Sequence, residues 1–146
     1  MRRREFIAGL GAAAVLPPAA RAQQPAVPVV GYLDNYPPAP GGIGRGQAAV
    51  LKGLADTGFV DGRNVAIEYR WVEGQNEKLP AILRDLIERR VAVLATPGST
   101  AIALAAKAAT QTIPIVFRVG GDPVATGLVP SLNMPGVTSQ ARPRWV

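Results

Sequence analysis

Cysteine and histidine are both absent from the 146 residues. Their absence removes disulfides, thiol nucleophiles and the Ser-His and Cys-His pairs of common hydrolytic chemistry. It also removes the usual ligands of zinc, copper and haem. Acidic residues number ten against sixteen Lys and Arg, and they form no cluster with the spacing of a Mg or Ca site. Aromatic residues make up only 5%. No basic stripe is interleaved with them, so nucleic-acid binding is not indicated. No cofactor is implied. What remains for chemistry is hydroxyls, amides, backbone groups and isolated carboxylates.

The first 22 residues stand apart. Arg2, Arg3 and Arg4 precede Glu5-Phe6-Ile7, and an apolar run rich in Gly and Ala follows from Phe6 to Leu16. That run is too short for the roughly 20 residues a membrane-spanning helix needs. Pro17-Pro18 ends any helix there. Ala20 and Ala22 are the small residues that a signal peptidase accepts. The R-R-x-F-I pattern resembles the twin-arginine (Tat) export signal of bacteria, which predicts a periplasmic protein cleaved after Ala22. A Sec signal carrying extra arginines and a retained anchor are the other readings. Arg2, Arg3, Arg4, Arg21 and Glu5 all lie in this segment, so the net charge falls from +6 for the whole chain to +3 beyond it. The residues beyond it suffice for one domain with a real core.

Past a short Pro-containing linker, Val29 to Leu33 reads as a strand buried on both faces. Asp34 to Gly46 is a Pro- and Gly-rich loop. A helix is expected from about Gln47 to Thr57, with Val50, Leu51, Leu54 and Ala55 inward. Gly58 is its left-handed cap, and Phe59 folds back on it. Val65 to Trp71 alternates apolar and polar, which places it at a sheet edge. Leu79, Ile82, Leu83, Leu86 and Ile87 mark one face of a second helix over about 77–90, with Arg89 and Arg90 at its C-terminal end. A buried strand at 91–95, an alanine-rich helix at 100–110, a strand at 113–119 and a short helix to Leu132 complete the series. The alternation of strand and helix predicts an α/β, doubly wound parallel sheet in the flavodoxin-like order 2-1-3-4.

Ligands in such sheets sit beyond the carboxyl ends of the strands. Three loops qualify: Asp34-Asn35-Tyr36, Pro97-Gly98-Ser99-Thr100 and Gly120-Gly121-Asp122. Ser99 and Thr100 offer hydroxyls and N–H groups at a helix N-terminus, suited to a carboxylate or phosphate. They serve equally as a simple helix cap. Asp122 before Pro123 is either a cap or a cleft residue. Asn35 either meets a ligand or stabilises its turn. Tyr69 and Trp71 read as packing. Gly41-Gly42-Ile43-Gly44-Arg45-Gly46 matches neither dinucleotide nor P-loop spacing.

Several stretches resemble a known family. They include P-V-V-G-Y-L, G-L-A-D-T-G-F-V-D-G-R-N-V-A-I-E-Y-R-W-V-E-G-Q, L-P-A-I-L-R-D-L and G-G-D-P-V-A-T-G-L-V-P-S-L-N-M-P-G. Together with the export signal they are similar to ABC transporter substrate-binding proteins, in the subgroup of tryptophan- and aromatic-amino-acid-binding lipoproteins. The match runs over about residues 1–139. It implies the first lobe of a type I periplasmic-binding fold. Two such lobes close on a small solute, such as an amino acid or small carboxylate, and present it to an inner-membrane permease. Carried onto this sequence, the first-lobe contacts are Asn35, Ser99, Thr100 and Asp122.

Members of that family are about twice as long. The pattern stops near Ser139, and Gln140 to Val146 is expected to be an aberrant tail, with the second lobe absent. The leading expectation is therefore a truncated, non-enzymatic binding lobe. Rival expectations are a non-functional remnant, an interaction module, and a small exported enzyme using Asp34 and Asp122 as acid and base.

Overall fold

The computed structural model describes residues 26–133. The expected signal at 1–22 and tail at 140–146 lie outside them. Four strands form one parallel sheet: β1 (Val29–Asp34), β2 (Ala66–Trp71), β3 (Val93–Thr96) and β4 (Ile115–Phe117). Their order is β2-β1-β3-β4, as the sequence predicts. β1 pairs on one side with β2, Val29 opposite Ala66 through Asp34 opposite Trp71. On its other side Val30 to Tyr32 pair with Val93 to Ala95. The helices are α1 (Arg45–Asp56), α2 (Leu79–Glu88) and α3 (Thr100–Ala109). A 3-10 turn at Asn76–Lys78 leads into α2, whose Pro80 sits in the first turn.

Right-handed crossovers put α1 on one face and α2 and α3 on the other. Two cores result. Leu33, Leu94, Leu83, Leu86, Ile102 and Ala106 fill the α2–α3 side. Val30, Tyr32, Val65 and Ala95, with Val50 and Leu54 of α1, form the smaller one. The alternation in β2 maps onto these faces. Ile67, Tyr69 and Trp71 join the α1-side core. On the opposite face, Arg70 bridges to Glu68 at 3.0 Å and to Asp85 of α2 at 2.9 Å. Arg89 and then Arg70, donating to Asp85, hold its carboxyl below the usual range.

The exits of α1 and α2 use the same backbone device, and the second places a non-glycine residue at its left-handed position. After α1, Gly58 N–H donates to Ala55 O at 3.0 Å and Phe59 N–H to Leu54 O at 2.8 Å. This is the paired bonding of a Schellman cap, with Gly58 left-handed at φ +87. After α2, Arg90 N–H donates to Ile87 O at 2.9 Å and Val91 N–H to Leu86 O at 3.3 Å. Here the left-handed position is Arg90, φ +56. A side chain at that φ costs about 1–2 kcal/mol relative to glycine. Arg90→Gly is therefore expected to raise stability, by roughly 1 kcal/mol after the entropy glycine adds to the unfolded chain. Urea titration of both forms would check it; an unchanged or lower midpoint would refute it.

Several expectations are corrected. Val91 is not in a strand: it is the buried residue that closes the α2 cap, and sheet pairing begins with Ala92 N–H donating to Val29 O at 2.7 Å. Ala55 is exposed, and Phe59 is 40% exposed, so the apolar fold-back onto α1 is weak. β4 is only three residues long. No helix follows it among the described residues. Thr126 N–H reaches Asp122 O at 3.1 Å, but Gly127 turns left-handed (φ +75) and Leu128 and Val129 both donate back to Pro123 O. A single turn is all that forms.

A candidate solute-binding site at the strand ends

A parallel sheet delivers all its carboxyl ends to one rim. In order 2-1-3-4 the connections from β1 and from β3 lead to opposite sides of the sheet, and they leave a crevice between β1 and β3. Asp34 ends β1 and Thr96 ends β3 at that crevice. The Asp34 carboxylate is fixed from two sides. Its Oδ1 accepts from Asn35 N–H at 2.7 Å, and its Oδ2 accepts from the Tyr32 hydroxyl at 3.1 Å. Gly98 lies directly against it, so that a Cβ there would run into the carboxylate. At the same turn, Arg118 Nε–H donates to Pro97 O at 3.0 Å. An anion and a cation thus both meet the Pro97–Gly98 turn.

Tyr32 is 1% exposed. Burial first, then the negative Asp34, push its hydroxyl well above the usual phenol range, while Arg118 acts in the opposite sense. It remains a neutral donor to Asp34 across the physiological range. Tyr32 also anchors an aromatic cluster. Its ring lies 5.3 Å from Tyr69 and 5.6 Å from Trp71, which stack on one another at 6.1 Å. These rings are packing, as their strand spacing suggests, and they stiffen the base of the crevice.

The four residues expected from the sequence fall differently. Asn35 is half-buried at the rim, with its C=O accepting from Glu73 N–H at 2.6 Å. Ser99 is the N-cap of α3, its Oγ accepting from Ile102 N–H at 3.3 Å. Thr100 opens α3, where the first N–H groups have no intrahelical acceptor. Asn35, Ser99 and Thr100 thus adjoin the Asp34–Gly98 contact in the chain. Asp122 is exposed, and its Oδ1 accepts from Val124 N–H at 2.8 Å within its own turn. Among the described residues no hydrogen bond joins Asp122 to Asp34, each of whose oxygens accepts one bond from its own segment. Ser99→Ala is expected to cost about 0.5–2 kcal/mol through the lost cap. Thermal unfolding would show it; an unchanged midpoint would mean that Oγ does not cap.

Tyr32 and Arg118 are the site residues that sequence reasoning passes over. Two signals point to them. Tyr32 is two residues before Asp34, so both side chains share one face of β1. Arg118 is a lone charge closing the apolar run Ile113 to Phe117.

A family model described as ABC transporter substrate binding protein matches residues 43–140. The chain belongs to that family. Over 97 residues this chain is 31% identical to a tyrosine-binding protein of Clostridioides difficile (strain R20291), covering 64% of this chain and 27% of that protein. A solved substrate-binding protein with adhesive properties from Clostridium difficile, in a ligand-free, open structure, superposes with a TM-score of 0.65 at 26% identity. That match covers 77% of this chain and 37% of the other. A conserved domain protein from Vibrio cholerae gives 0.64 at 28% identity, over 75% of this chain and 36% of its own. This family member therefore spans about a third of the length of these solved relatives.

Proposed function

We propose that this chain is a solute-binding lobe working outside the cytoplasm for an ABC permease of the inner membrane, and that its solute is a small zwitterion of the amino-acid class. The carrying observation is that an anion and a cation both meet the Pro97–Gly98 turn, Asp34 against Gly98 and Arg118 on the Pro97 carbonyl. Asp34 spends one lone pair per oxygen on Tyr32 and Asn35 and keeps others for an ammonium group. Arg118 commits only its Nε to Pro97, which leaves the rest of the guanidinium fork for a carboxylate. The N–H groups at Thr100 add to the same anion end. Asn35 and Ser99 contribute hydrogen bonds at the rim, and Asp122 is the contact from the loop after β4. Export by the twin-arginine pattern, with cleavage after Ala22, completes the reading.

The test is thermal unfolding of residues 23–146 with a panel of amino acids and small carboxylates, tyrosine first because a relative is named for binding it. A ligand at a hundred times its Kd adds about 2.7 kcal/mol. A rise in midpoint with an amino acid, abolished in Arg118→Gln, supports the reading. A cooperative transition that no amino acid shifts refutes it.

A further inference from the structure

The turn after β4 is loosely joined to the sheet and firmly bonded within itself. Gly120 and Gly121 make the join, and a Cβ at either would meet nothing within 4 Å. Beyond them, Asp122 O accepts from Thr126 N–H and from the Thr126 hydroxyl, both at 3.1 Å. One line of hydrogen bonds runs from α3 through this turn to a side chain. Lys107 Nζ donates to Gly127 O at 2.6 Å, twenty residues along the sequence. The other end of that same peptide unit, Leu128 N–H, donates to Pro123 O at 2.9 Å. The other end of the Pro123 peptide unit, Val124 N–H, donates to Asp122 Oδ1 at 2.8 Å. An ammonium thus stands at one end of two aligned peptides and a carboxylate at the other. Bonds to charged groups are the strong ones, and aligned bonds polarise one another.

The geometry points to Lys107 as a positioning residue that sets the direction of the Asp122 carboxylate through the Gly127–Leu128 and Pro123–Val124 peptides. The inference rests on the reading that Asp122 meets the solute. Asp122 Oδ1 is spent on Val124 N–H, and Oδ2, which accepts no hydrogen bond among the described residues, is the oxygen left for a ligand. Lys107 itself lies two turns of α3 past Thr100, about 10 Å along the helix axis, so it acts on the strand-end rim from a distance. Leu128 is buried, which keeps the middle of the relay out of water. A lysine in the last turn of α3 also suits the helix dipole. A role confined to the dipole would lower overall stability and leave the two turn amides no worse than the rest.

Lys107→Met keeps the side-chain length and removes the donor, and Lys107→Arg restores a donor. Both are made in the full chain, and amide hydrogen exchange is followed by NMR without solute. In Lys107→Met the Leu128 and Val124 amides are expected to exchange about tenfold faster through local opening. Leu94, whose N–H donates to Pro114 O in the sheet, is expected to keep the parent rate. Lys107→Arg is expected to return both turn amides to it. Unchanged exchange at Val124, or equal acceleration at Leu94, would overturn the relay. Calorimetry then uses the amino acid that most raises the parent's unfolding midpoint. Lys107→Met is expected to weaken its Kd by about fivefold. The same substitution is expected to change nothing in an Asp122→Ala background, because an effect carried by Asp122 goes with it. Equal affinity in parent and Lys107→Met, or the same fivefold loss without Asp122, would overturn the positioning role. If the parent binds no amino acid while Val124 exchange still accelerates, the solute reading fails and the relay stands.

Discussion

Leu94→Ala is expected to lower the unfolding free energy by about 2–5 kcal/mol, the range for removing a fully buried leucine from a core that relaxes only partly. Leu94 is 0% exposed on β3, which pairs on both edges. It packs in the larger core with Leu33, Leu86 and Ile102. Its Cδ2 comes within 3.0 Å of where a Cβ on Gly31 would stand, so the strand next to it is already at closest approach. The cavity has little freedom to collapse. A domain of this size loses several degrees of Tm per kcal/mol, so the midpoint is expected to fall by about 10 °C or more. Val116→Ala, at an exposed position of β4, is expected to stay within about 0.5 kcal/mol of the parent. Urea unfolding of both variants makes the comparison. Equal, small losses at the two positions would mean that the α2–α3 side is not the principal core.

Gly98→Ala is expected to remove solute binding, with Kd weakened by about tenfold or more. The added Cβ occupies the place of the Asp34 carboxylate. Asp34 has a short side chain held by Tyr32 and by the Asn35 N–H, so moving it breaks both bonds. A hydrogen bond to a charged group contributes about 1.5–3 kcal/mol. Calorimetric titration would read the affinity, and thermal unfolding would show whether the fold persists. Unaltered affinity in a folded Gly98→Ala protein would show that Asp34 takes no part in binding. Loss of folding would place the Gly98 contact in the scaffold, and Asp34→Asn, which keeps the shape, would then carry the test.

Much of the architecture is written locally. The single alternating strand, Val65 to Trp71, marks a sheet edge, and with the strand–helix alternation it agrees with order 2-1-3-4. The apolar stripe of α2 and Gly58 after α1 are equally plain, since period and cap chemistry act over a few residues. Arg90 shows where local rules compete. A basic residue at a helix end suits the dipole, yet the backbone there is left-handed and suits glycine. The site divides in the same way. Ser99 and Thr100 announce themselves as helix-start residues, but the partnership of Asp34 with Gly98 and of Arg118 with Pro97 joins positions 64 and 21 apart in sequence. No spacing rule covers such pairs; only the fold brings them together. After β4 the local signal is ambiguous, because Asp122-Pro123 opens a helix as readily as a single turn, and Gly127 decides between them.

The pairing of β1 also has a consequence for synthesis. Among the described residues it is the first strand made, yet its two neighbours are Ala66–Trp71 and Val93–Ala95. No hairpin shelters it meanwhile. At about 5–20 residues per second, several seconds pass between the appearance of Val30 to Leu33 and that of the second strand that flanks it. Throughout that interval an apolar segment with open backbone edges waits on the ribosome. Such high contact order slows folding and lengthens exposure to aggregation. For this chain the hazardous moment comes early in translation, and a chaperone that holds nascent residues 29–33 would relieve it.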